Sequence, residues 1–424
     1  MANARKIALK ALLEVRSMGA YSNITLNKLL NDSELSDCEK SFTTALFYGV
    51  LDRTLTLDYV LSKHIKSPLK KVSPFVLENL RLALFQIMFM DKIPESAAVN
   101  ETVKIVKASK QKNLSGFVNG VLRNILREGA TLPDGDGVND LSVRYSCPQW
   151  IVSSLLTDYG FENTKEFLDH SLSAPNVILR VNTLKTDAES LISELLNLKI
   201  PAKKGLVENS VIIDGGIDVS HNGLYKNGLF HIQDSASQTA VRVLSPKRNE
   251  RVLDLCSAPG GKAFTMAQYM ENSGEIVACD IYSHRVELIN NGAKRLGIDI
   301  IKPIVNNACV YNVNLGTFDA VLCDVPCSGI GVIRRKPEIK YKSLEEYNDI
   351  TQIQAQILDN ADLYLKENGR ILYSTCTVRK CENDFVVQRF LDKHPYYELK
   401  YQHTFMPHID GTDGFYCALL QKSR

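Results

Sequence analysis

Two cysteines, Cys327 and Cys376, each follow an apolar segment and stand in a loop of small and hydroxyl-bearing residues. A thiolate is a strong nucleophile, so a cysteine in a loop at the end of a strand is a candidate for covalent catalysis. The alternative is a buried cysteine with a structural role only. That alternative suits the cysteines that lie within or beside apolar strands, which are Cys279, Cys309 and Cys323.

A second group of informative residues surrounds a pair of glycines. The segment Cys256-Ser-Ala-Pro-Gly-Gly-Lys262 stands between a predicted strand at 251–255 and a predicted helix that begins at Lys262. A loop of this kind brings backbone N–H groups and the positive end of a helix toward a ligand. Its spacing differs from the dinucleotide fingerprint, and Ala263 replaces the metal-binding hydroxyl of a phosphate loop. Both of those ligand classes are therefore disfavoured.

The acid at the end of the next predicted strand indicates which ligand this loop takes. Asp280 closes the strand 275–280, where a carboxylate can accept hydrogen bonds from both hydroxyl groups of a ribose. A glycine pair with one such acid suits a ligand with a single ribose, and S-adenosylmethionine has that composition. An ordinary strand–helix turn beside a surface acid is the alternative interpretation.

A thiolate beside a methyl donor points to one reaction. Carbon 5 of a pyrimidine is a poor nucleophile, but addition of a thiolate to carbon 6 gives an enamine that can attack a methyl group. Negative charge then builds toward ring nitrogen 3 and the exocyclic amine, where Asp324 can donate or share a proton. Methyltransferases that act on amines need no such thiol. They more often have Asn/Asp-Pro-Pro-Tyr/Phe where this chain has Asp324-Val-Pro-Cys327.

Alternating strands and helices must position these residues. From about residue 236 onward the pattern predicts a doubly wound, mostly parallel sheet that ends in an antiparallel hairpin. In such sheets ligands bind outside the carboxyl ends of the strands, and the candidate residues fall at those ends. The predicted strands are 251–255, 275–280, 301–305, 318–323, 370–374, 399–405 and 415–420.

The first 128 residues carry apolar residues at helical spacing and almost no strand signal, which predicts a domain of six or seven helices. The predicted helices are Ile7–Val15, Ser41–Leu51, Leu55–Ile65, Pro74–Met90, Ala97–Lys107 and Gly116–Ile125. A basic cluster is the candidate for a phosphate-facing surface, with a solvated helix face as the alternative. The cluster consists of Lys104, Lys107, Lys110, Lys112, Arg123 and Arg127.

A linker rich in glycine and aspartate, residues 128–141, separates the helices from a small mixed module at 142–235. The module is predicted to contain helices at 148–156, 163–168 and 187–198 and strands at 176–182 and 210–214, followed by the stretch 228–234. Arg180 and Lys185 flank an extended edge, where they either contact RNA backbone or form a surface pair.

Composition sets the remaining limits. A chain of 424 residues predicts two or three domains. The net charge of +2 conceals 19 Lys/Arg against 12 Asp/Glu in residues 1–130, which favours an anionic polymer as partner. The ten cysteines form no C-x-x-C pair and the start of the chain reads as an amphipathic helix, so we expect a cytoplasmic protein without disulfides, metal or membrane contact.

Two resemblances follow from these segments. The helical part resembles the transcription-antitermination factor NusB, whose domain binds RNA, through residues 94–107 and 116–124. The later part resembles the RNA cytosine-5 methyltransferases. That likeness rests on Cys256–Lys262, Asp280, Asp324–Gly329, Gly331–Lys340 and Tyr373–Thr377, with Gln233–Gln238 leading into the domain.

Together these resemblances imply a multidomain fold. An all-α NusB-like N-terminal domain at 1–128 and a small RNA-contacting α+β module at 142–235 precede an α/β Rossmann-like class I S-adenosylmethionine-dependent methyltransferase domain at 236–424. The implied activity is methylation of carbon 5 of a cytosine in 16S ribosomal RNA, either free or in an assembling small subunit, by a monomer without metal. The alternatives are a non-catalytic RNA-binding or assembly factor and a methyltransferase acting on protein or on an RNA amine.

The resemblance also implies a role for each residue. Cys376 is the attacking nucleophile, Cys327 helps to release the product, and Asp324 and Lys262 belong to the active site. The implied cofactor-binding residues are Cys256, Ser257, Ala258, Pro259, Gly260, Gly261, Lys262, Asp280, Asn307 and Asp324. The family usually has Gly-Asp-Ala where this chain has Asn306-Asn-Ala308, so Asn307 can offer an amide oxygen to the adenine amine but carries no charge.

Overall fold

A computed structural model describes residues 3–18, 22–215, 217–219 and 221–423. The chain forms two compact units. The first contains residues 1–173 together with 333–342, and the second contains 174–332 together with 343–424.

Nine helices make up the described part of the first unit outside its short 3-10 turns. They are α1 (Ala4–Met18), α2 (Ser22–Asn31), α3 (Asp37–Asp52), α4 (Thr54–His64), α5 (Pro74–Phe89), α6 (Glu95–Lys107), α7 (Ser115–Glu128), α8 (Val138–Arg144) and α9 (Gln149–His170). Each of the six predicted helices lies within one of these helices or extends beyond its end by a single residue. The all-helical prediction is therefore confirmed. Helices α2 and α8 were not predicted.

Helix α5 forms the centre of this unit. The Ser73 hydroxyl accepts a hydrogen bond from Val76 N, and Pro74 occupies the first turn, where its missing N–H costs nothing. Every residue from Val76 to Gln86 is buried, and the apolar ones belong to a single core shared with the surrounding helices. A helix that is buried on all sides therefore organises the unit.

The second unit begins with a four-stranded antiparallel sheet in the order β2-β3-β1-β4. Its elements are β1 (Val177–Val181), α10 (Ala188–Asn197), β2 (Ala202–Lys204), β3 (Ser210–Ile213), α11 (Gly223–Lys226) and β4 (Phe230–Ile232). The predicted strands and the helix at 187–198 are confirmed, whereas the short β2 and α11 were not predicted.

A seven-stranded sheet follows. Its elements are α12 (Ser235–Leu244), β5 (Arg251–Asp254), α13 (Gly261–Tyr269), β6 (Glu275–Asp280), α14 (Ser283–Leu296), β7 (Ile301–Val305), β8 (Phe318–Asp324), α15 (Ile350–Tyr364), β9 (Leu365–Thr375), α16 (Asp384–Lys393), β10 (Tyr397–Phe405), α17 (Pro407–Asp410) and β11 (Phe415–Lys422).

The strand order is β10-β11-β9-β8-β5-β6-β7. Strands β9, β8, β5, β6 and β7 run parallel, and β11 pairs antiparallel with β9 and β10. Residues of α15 and α16 pack on one face of the sheet, and residues of α12, α13 and α14 pack on the other. The doubly wound sheet and its closing hairpin are therefore confirmed.

The segment predicted as the middle module is divided in the structure. Its predicted helices at 148–156 and 163–168 are confirmed as the two parts of α9, which a kink separates at Gly160, whose φ is +73°. Helices α8 and α9 belong to the first unit, while the four-stranded sheet belongs to the second, so the two units divide the segment predicted as one module. The boundaries of the three predicted domains stay predictions.

The interpretation of Arg180 as an RNA contact or a surface residue is wrong. Only 2% of Arg180 is exposed, and its guanidinium donates to Gln268 Oε1 at 2.9 Å and to the carbonyl of Glu208 at 3.0 Å. Because Gln268 lies on α13, Arg180 ties the small sheet to the helix that follows the glycine loop. Lys185 is also engaged, since its ammonium donates to the carbonyls of Asn227 and Arg295.

The segment 333–342 lies between β8 and α15 in sequence but belongs to the helical unit. The Lys340 ammonium, whose side chain is 2% exposed, donates to Asp52 Oδ1 at 2.6 Å. Tyr341 Oη lies 2.7 Å from Thr54 Oγ1. A buried charge needs a partner, so these contacts fix the segment to the end of α3 and the start of α4.

Candidate active site

The glycine loop between β5 and α13 is shaped by its backbone. Gly260 has a φ of +106°, and a Cβ added to it would lie 2.4 Å from Cζ of Phe264. Ser257 N donates to the carbonyl of Cys279 at 2.7 Å, which ties the loop to β6. Residue 260 must therefore be a glycine for two reasons, the left-handed conformation and the lack of space.

This loop fits S-adenosylmethionine. The first N–H groups of a helix have no partner within it, so the start of α13, directly after the glycine loop, can donate to a carboxylate. Asp280 ends the neighbouring strand β6 and is held by a hydrogen bond from Tyr282 N to its Oδ1 at 3.0 Å. A ligand with a carboxylate at one end and a ribose at the other matches both groups.

Two residues assigned to the cofactor differ from Gly260. Gly261 begins α13 without a positive φ, and an added Cβ would meet only Gln233 Nε2, at 3.7 Å. Asn307 is exposed, and its Oδ1 accepts a hydrogen bond from Cys309 N at 3.0 Å, which closes a short turn. Contact of either residue with the cofactor stays a prediction.

The two candidate cysteines lie side by side. Strands β8 and β9 are parallel neighbours in which Asp324 pairs with Ser374, so the loops that follow both strands leave the sheet together. Cys327 Sγ lies 3.2 Å from Cys376 Sγ, and Gly331 N donates to the carbonyl of Cys376 at 3.0 Å. Neither cysteine is in a disulfide, and both are half-buried. The structure places each cysteine just beyond a strand, as predicted, and shows in addition that the two strands are neighbours.

Lys262 and Asp324 form an ion pair in the same site. The Lys262 ammonium lies 2.7 Å from Asp324 Oδ2, and Ser374 Oγ donates to Asp324 Oδ1 at 2.8 Å. Burial by itself would lower the pKa of Lys262, but the negative charge of Asp324 and, to a smaller extent, of Cys376 raises it. The site therefore keeps a positive charge close to the Cys376 sulfur.

The surroundings distinguish the two thiols. The hydrogen bond with Cys376 and burial raise the pKa of Cys327 well above its ordinary value. Either sulfur can be the donor in this contact, so the two thiols share a proton, and the Lys262 ammonium interacts with Cys376. The assignment of Cys376 as the nucleophile stays a prediction.

Asp254 was not singled out in the sequence, although it ends a strand directly before the glycine loop, as Asp280 and Asp324 end theirs. It is 1% exposed, and burial raises its pKa from 3.8 to about 7, with the charge of Asp324 acting in the same direction. Three acids at three adjacent strand ends therefore have different surroundings. Their positions in the sequence alone do not distinguish them.

We expect Asp254 to make stability depend on pH. Between about pH 4 and 7 the folded protein binds a proton at Asp254 that the unfolded chain has lost, so the free energy of unfolding falls as the pH rises through this range. The full effect is roughly 4 kcal/mol. Melting temperatures measured from pH 5 to 8 should fall less steeply for Asp254→Asn than for the unaltered protein. The exposed Asp299→Asn should keep the original slope, and equal slopes for all three proteins would contradict the prediction.

Neither a metal centre nor a membrane span was found among the described residues. In that part of the chain no group of three His, Cys, Asp or Glu side chains is arranged to hold a metal ion. Within the same ranges no helix combines the length and the apolar character needed to cross a membrane.

Taken together, these features define a class of enzyme. The sheet is doubly wound and carries a glycine loop, an acid at the end of β6, and two cysteines in contact beyond neighbouring strands. These are the features of an S-adenosylmethionine-dependent methyltransferase that works through a thiol. Comparison with known protein families agrees. Residues 241–421 match the family described as 16S rRNA methyltransferase RsmB/F, residues 2–127 match the NusB family, and residues 147–220 match the ferredoxin-like domain of RsmF/B-like methyltransferases.

Relatives that align over the whole chain agree with this family. The chain is 38% identical to the probable ribosomal RNA small subunit methyltransferase B of Bacillus subtilis, with 99% of this chain and 98% of the relative covered. It is 30% identical to ribosomal RNA small subunit methyltransferase B of Shewanella oneidensis, with 99% of both chains covered. The chain therefore belongs to the RsmB/F family of 16S rRNA methyltransferases.

Solved structures agree on the fold. The crystal structure of PH0851 aligns with 100% of this chain and 99% of its own, with a TM-score of 0.84 and 26% identity. The structure of NSun6 from Pyrococcus horikoshii with SFG aligns with 65% of this chain and 98% of its own, with a TM-score of 0.61 and 21% identity, which supports the fold alone.

Proposed function

We propose that this protein transfers the methyl group of S-adenosylmethionine to carbon 5 of a cytosine in 16S ribosomal RNA through a covalent bond between Cys376 and carbon 6. The observation that carries the proposal is the contact of Cys376 with Cys327, at 3.2 Å, beside the Lys262–Asp324 ion pair. Membership of the RsmB/F family supports the substrate. A non-catalytic assembly factor would have no need of two cysteines and an ion pair in this arrangement.

In the first half of the reaction, the Cys376 thiolate adds to carbon 6 and the ring electrons move toward nitrogen 3. The Lys262–Asp324 pair supplies a positive charge and a proton at that edge of the base, which stabilises the adduct. The methyl donor carries an electrophilic methyl group. Carbon 5, now part of an enamine, attacks that group with the electron pair released by the addition. The bond between the methyl carbon and the donor's sulfur breaks, and the proton at nitrogen 3 returns to the Lys262–Asp324 pair.

In the second half, the proton on carbon 5 must leave before Cys376 can be expelled. The pKa of Cys327 is raised in the free protein first of all by its hydrogen bond with Cys376. Once Cys376 is bonded to carbon 6, that sulfur carries no charge and Cys327 can lose its own proton to solvent more easily. Cys327 then accepts the carbon 5 proton, the double bond re-forms, and Cys376 leaves as a thiolate.

The helical unit is the proposed site of additional RNA affinity. The basic cluster of residues 104–127 is exposed on α6, on α7 and on the turn between them. Lys104 and Lys107 both belong to the last turn of α6. A cationic helix end of this kind suits phosphate groups.

Reversing the charge of Lys104 and Lys107 should weaken RNA binding. If each lysine neutralises one phosphate, the slope of log affinity against log salt concentration should decrease by about 1.5. The measurement is RNA affinity over a salt series, with cofactor affinity unchanged. Reversal of the exposed Lys366 and Lys393 is the matched control, and an identical slope for all three proteins would leave the helical unit without a phosphate-binding role.

The proposed activity can be tested by bisulfite sequencing of 16S RNA from cells with and without the protein. One cytosine should lose its protection in the cells that lack the protein and regain it on complementation. Methylation in vitro of naked 16S RNA and of small-subunit assembly intermediates would identify the preferred substrate. Methyl groups found on a ring nitrogen, an amine or a protein would refute the proposal. We further propose a monomer that acts in the cytoplasm, where ten cysteines without a disulfide would stay reduced.

A further inference from the structure

Two consecutive residues outside the loops of Cys327 and Cys376 are hydrogen-bonded to these loops, one residue to each loop. Glu382 and Asn383 stand between β9 and α16, and each is 0% exposed. Burial of a carboxylate and an amide is costly unless each finds partners. Their partners therefore indicate what the two side chains hold in place.

Asn383 spans the residues on either side of Cys376. Its Oδ1 accepts a hydrogen bond from Thr375 Oγ1 at 2.6 Å, and its Nδ2 donates to the carbonyl of Thr377 at 3.0 Å. Thr375 and Thr377 are themselves fully buried. The chain thus enters and leaves Cys376 through two points fixed by one amide.

Glu382 acts in the same way on the loop of Cys327. Its Oε2 accepts hydrogen bonds from Ser328 N at 2.8 Å and from Gln354 Nε2 at 3.2 Å. Gln354 Nε2 also donates to the carbonyl of Pro326 at 2.9 Å, so the residues on both sides of Cys327 are held. The charge of Glu382 is balanced by Arg379, at 3.1 Å from Oε1.

A direct bond joins the two loops, since Ser328 Oγ lies 2.9 Å from Thr377 Oγ1. We propose that Glu382 and Asn383 are positioning residues that hold the sulfurs of Cys327 and Cys376 in contact, with Asn383 fixing the nucleophile and Glu382 fixing the releasing thiol. The inference has two halves. The geometric half, that these residues keep the two sulfurs in contact, is independent of the proposed function. The functional half, that each residue supports the catalytic role of one thiol, rests on the proposed function.

The geometric half can be tested by oxidation. Diamide takes two electrons and two protons from a pair of thiols and leaves a disulfide, and the rate depends on how often the sulfurs meet. The Cys327–Cys376 disulfide, identified by peptide mass mapping, should form at least tenfold more slowly in Glu382→Gln and Asn383→Asp than in the unaltered protein. Asp384→Asn is the matched control, because Asp384 is the next residue and accepts from Gln402 instead. Oxidation of both variants at the unaltered rate would overturn the inference.

The functional half predicts a different defect for each variant. Asn383→Asp keeps the acceptor for Thr375 but loses the donor to Thr377, so single-turnover methylation should fall at least tenfold without a trapped complex. Glu382→Gln should methylate once at a near-normal rate, turn over at least tenfold more slowly, and accumulate a protein–RNA complex that survives denaturation. A role in stability alone would lower both rates together in both variants, and that result would refute the assignment.

Two further proteins keep the outcomes separate. Gln354→Ala removes the hydrogen bonds from Gln354 to the carbonyl of Pro326 and to Glu382, while Glu382 and Asn383 stay in place. This variant therefore tests the same contact with the Cys327 loop if Glu382→Gln does not fold. Cys327→Ala tests the proposed function itself. Trapping by Cys327→Ala without trapping by either Glu382→Gln or Gln354→Ala would refute only the positioning role, whereas no trapping by Cys327→Ala would refute the roles assigned to the two thiols.

Discussion

Cys327→Ala should methylate its RNA once and then remain bound to it. Elimination of Cys376 requires loss of the carbon 5 proton, and the sulfur that lies 3.2 Å from Cys376 is the nearest candidate to accept it. Without that thiol, the bond between Cys376 and carbon 6 persists after methylation. A complex that resists denaturing electrophoresis should therefore accumulate, and only when S-adenosylmethionine is supplied.

Cys376→Ala should be inactive and should form no such complex, because the adduct cannot form. The double variant should likewise lose the trapped complex, since trapping depends on Cys376. If both cysteines were only structural, either alanine would lower the free energy of unfolding by about 1–3 kcal/mol without any trapping. Trapping by Cys376→Ala and none by Cys327→Ala would exchange the two roles.

The sequence was sufficient to predict that each of these thiols lies just beyond the end of a strand, at the edge of the sheet where the cofactor loop lies. Each follows an apolar segment within an alternating strand and helix pattern, and parallel strands end at the same edge of a sheet. The pattern does not state which strands are neighbours. The contact required β8 and β9 to be adjacent, which the pairing of Asp324 with Ser374 shows.

Other features depend on tertiary structure and could not be predicted locally. Arg180 lies between Leu179 and Val181 in β1, and a cation in a strand usually faces water. Here the small sheet packs against α13, so the guanidinium is enclosed and bonded to Gln268. Likewise, nothing in the residues around Lys340 indicates that its ammonium pairs with Asp52, which is distant in sequence.

The surroundings of the three acids that end strands could not be predicted from the sequence either. Asp254, Asp280 and Asp324 all end strands, but only Asp324 pairs with a lysine, Lys262, at the distance of a direct ion pair. Burial instead raises the pKa of Asp254 to about 7. The sequence predicted the positions of Asp280 and Asp324 but not that of Asp254, and packing determined the chemistry of all three.

Gly260→Val should abolish binding of S-adenosylmethionine. At a φ of +106° a β-branched residue is strained by about 1–3 kcal/mol, and its Cβ would overlap the ring of Phe264. The loop can relieve both only by moving, which displaces the first N–H groups of α13 from the place where the ligand carboxylate binds. Calorimetry should show at least a hundredfold loss of cofactor affinity.

A matched variant separates this effect from simple destabilisation. Gly297 ends α14 at a φ of +72°, and an added Cβ there would meet only the flexible end of Lys185, at 3.1 Å. Gly297→Val should therefore lose comparable stability and still bind the cofactor with unaltered affinity. If Gly260→Val bound S-adenosylmethionine normally while remaining folded by circular dichroism, the ligand would have to lie away from the glycine loop. Because the electrophilic carbon must reach the base held by Cys376, that result would also remove the basis for the proposed methyl transfer.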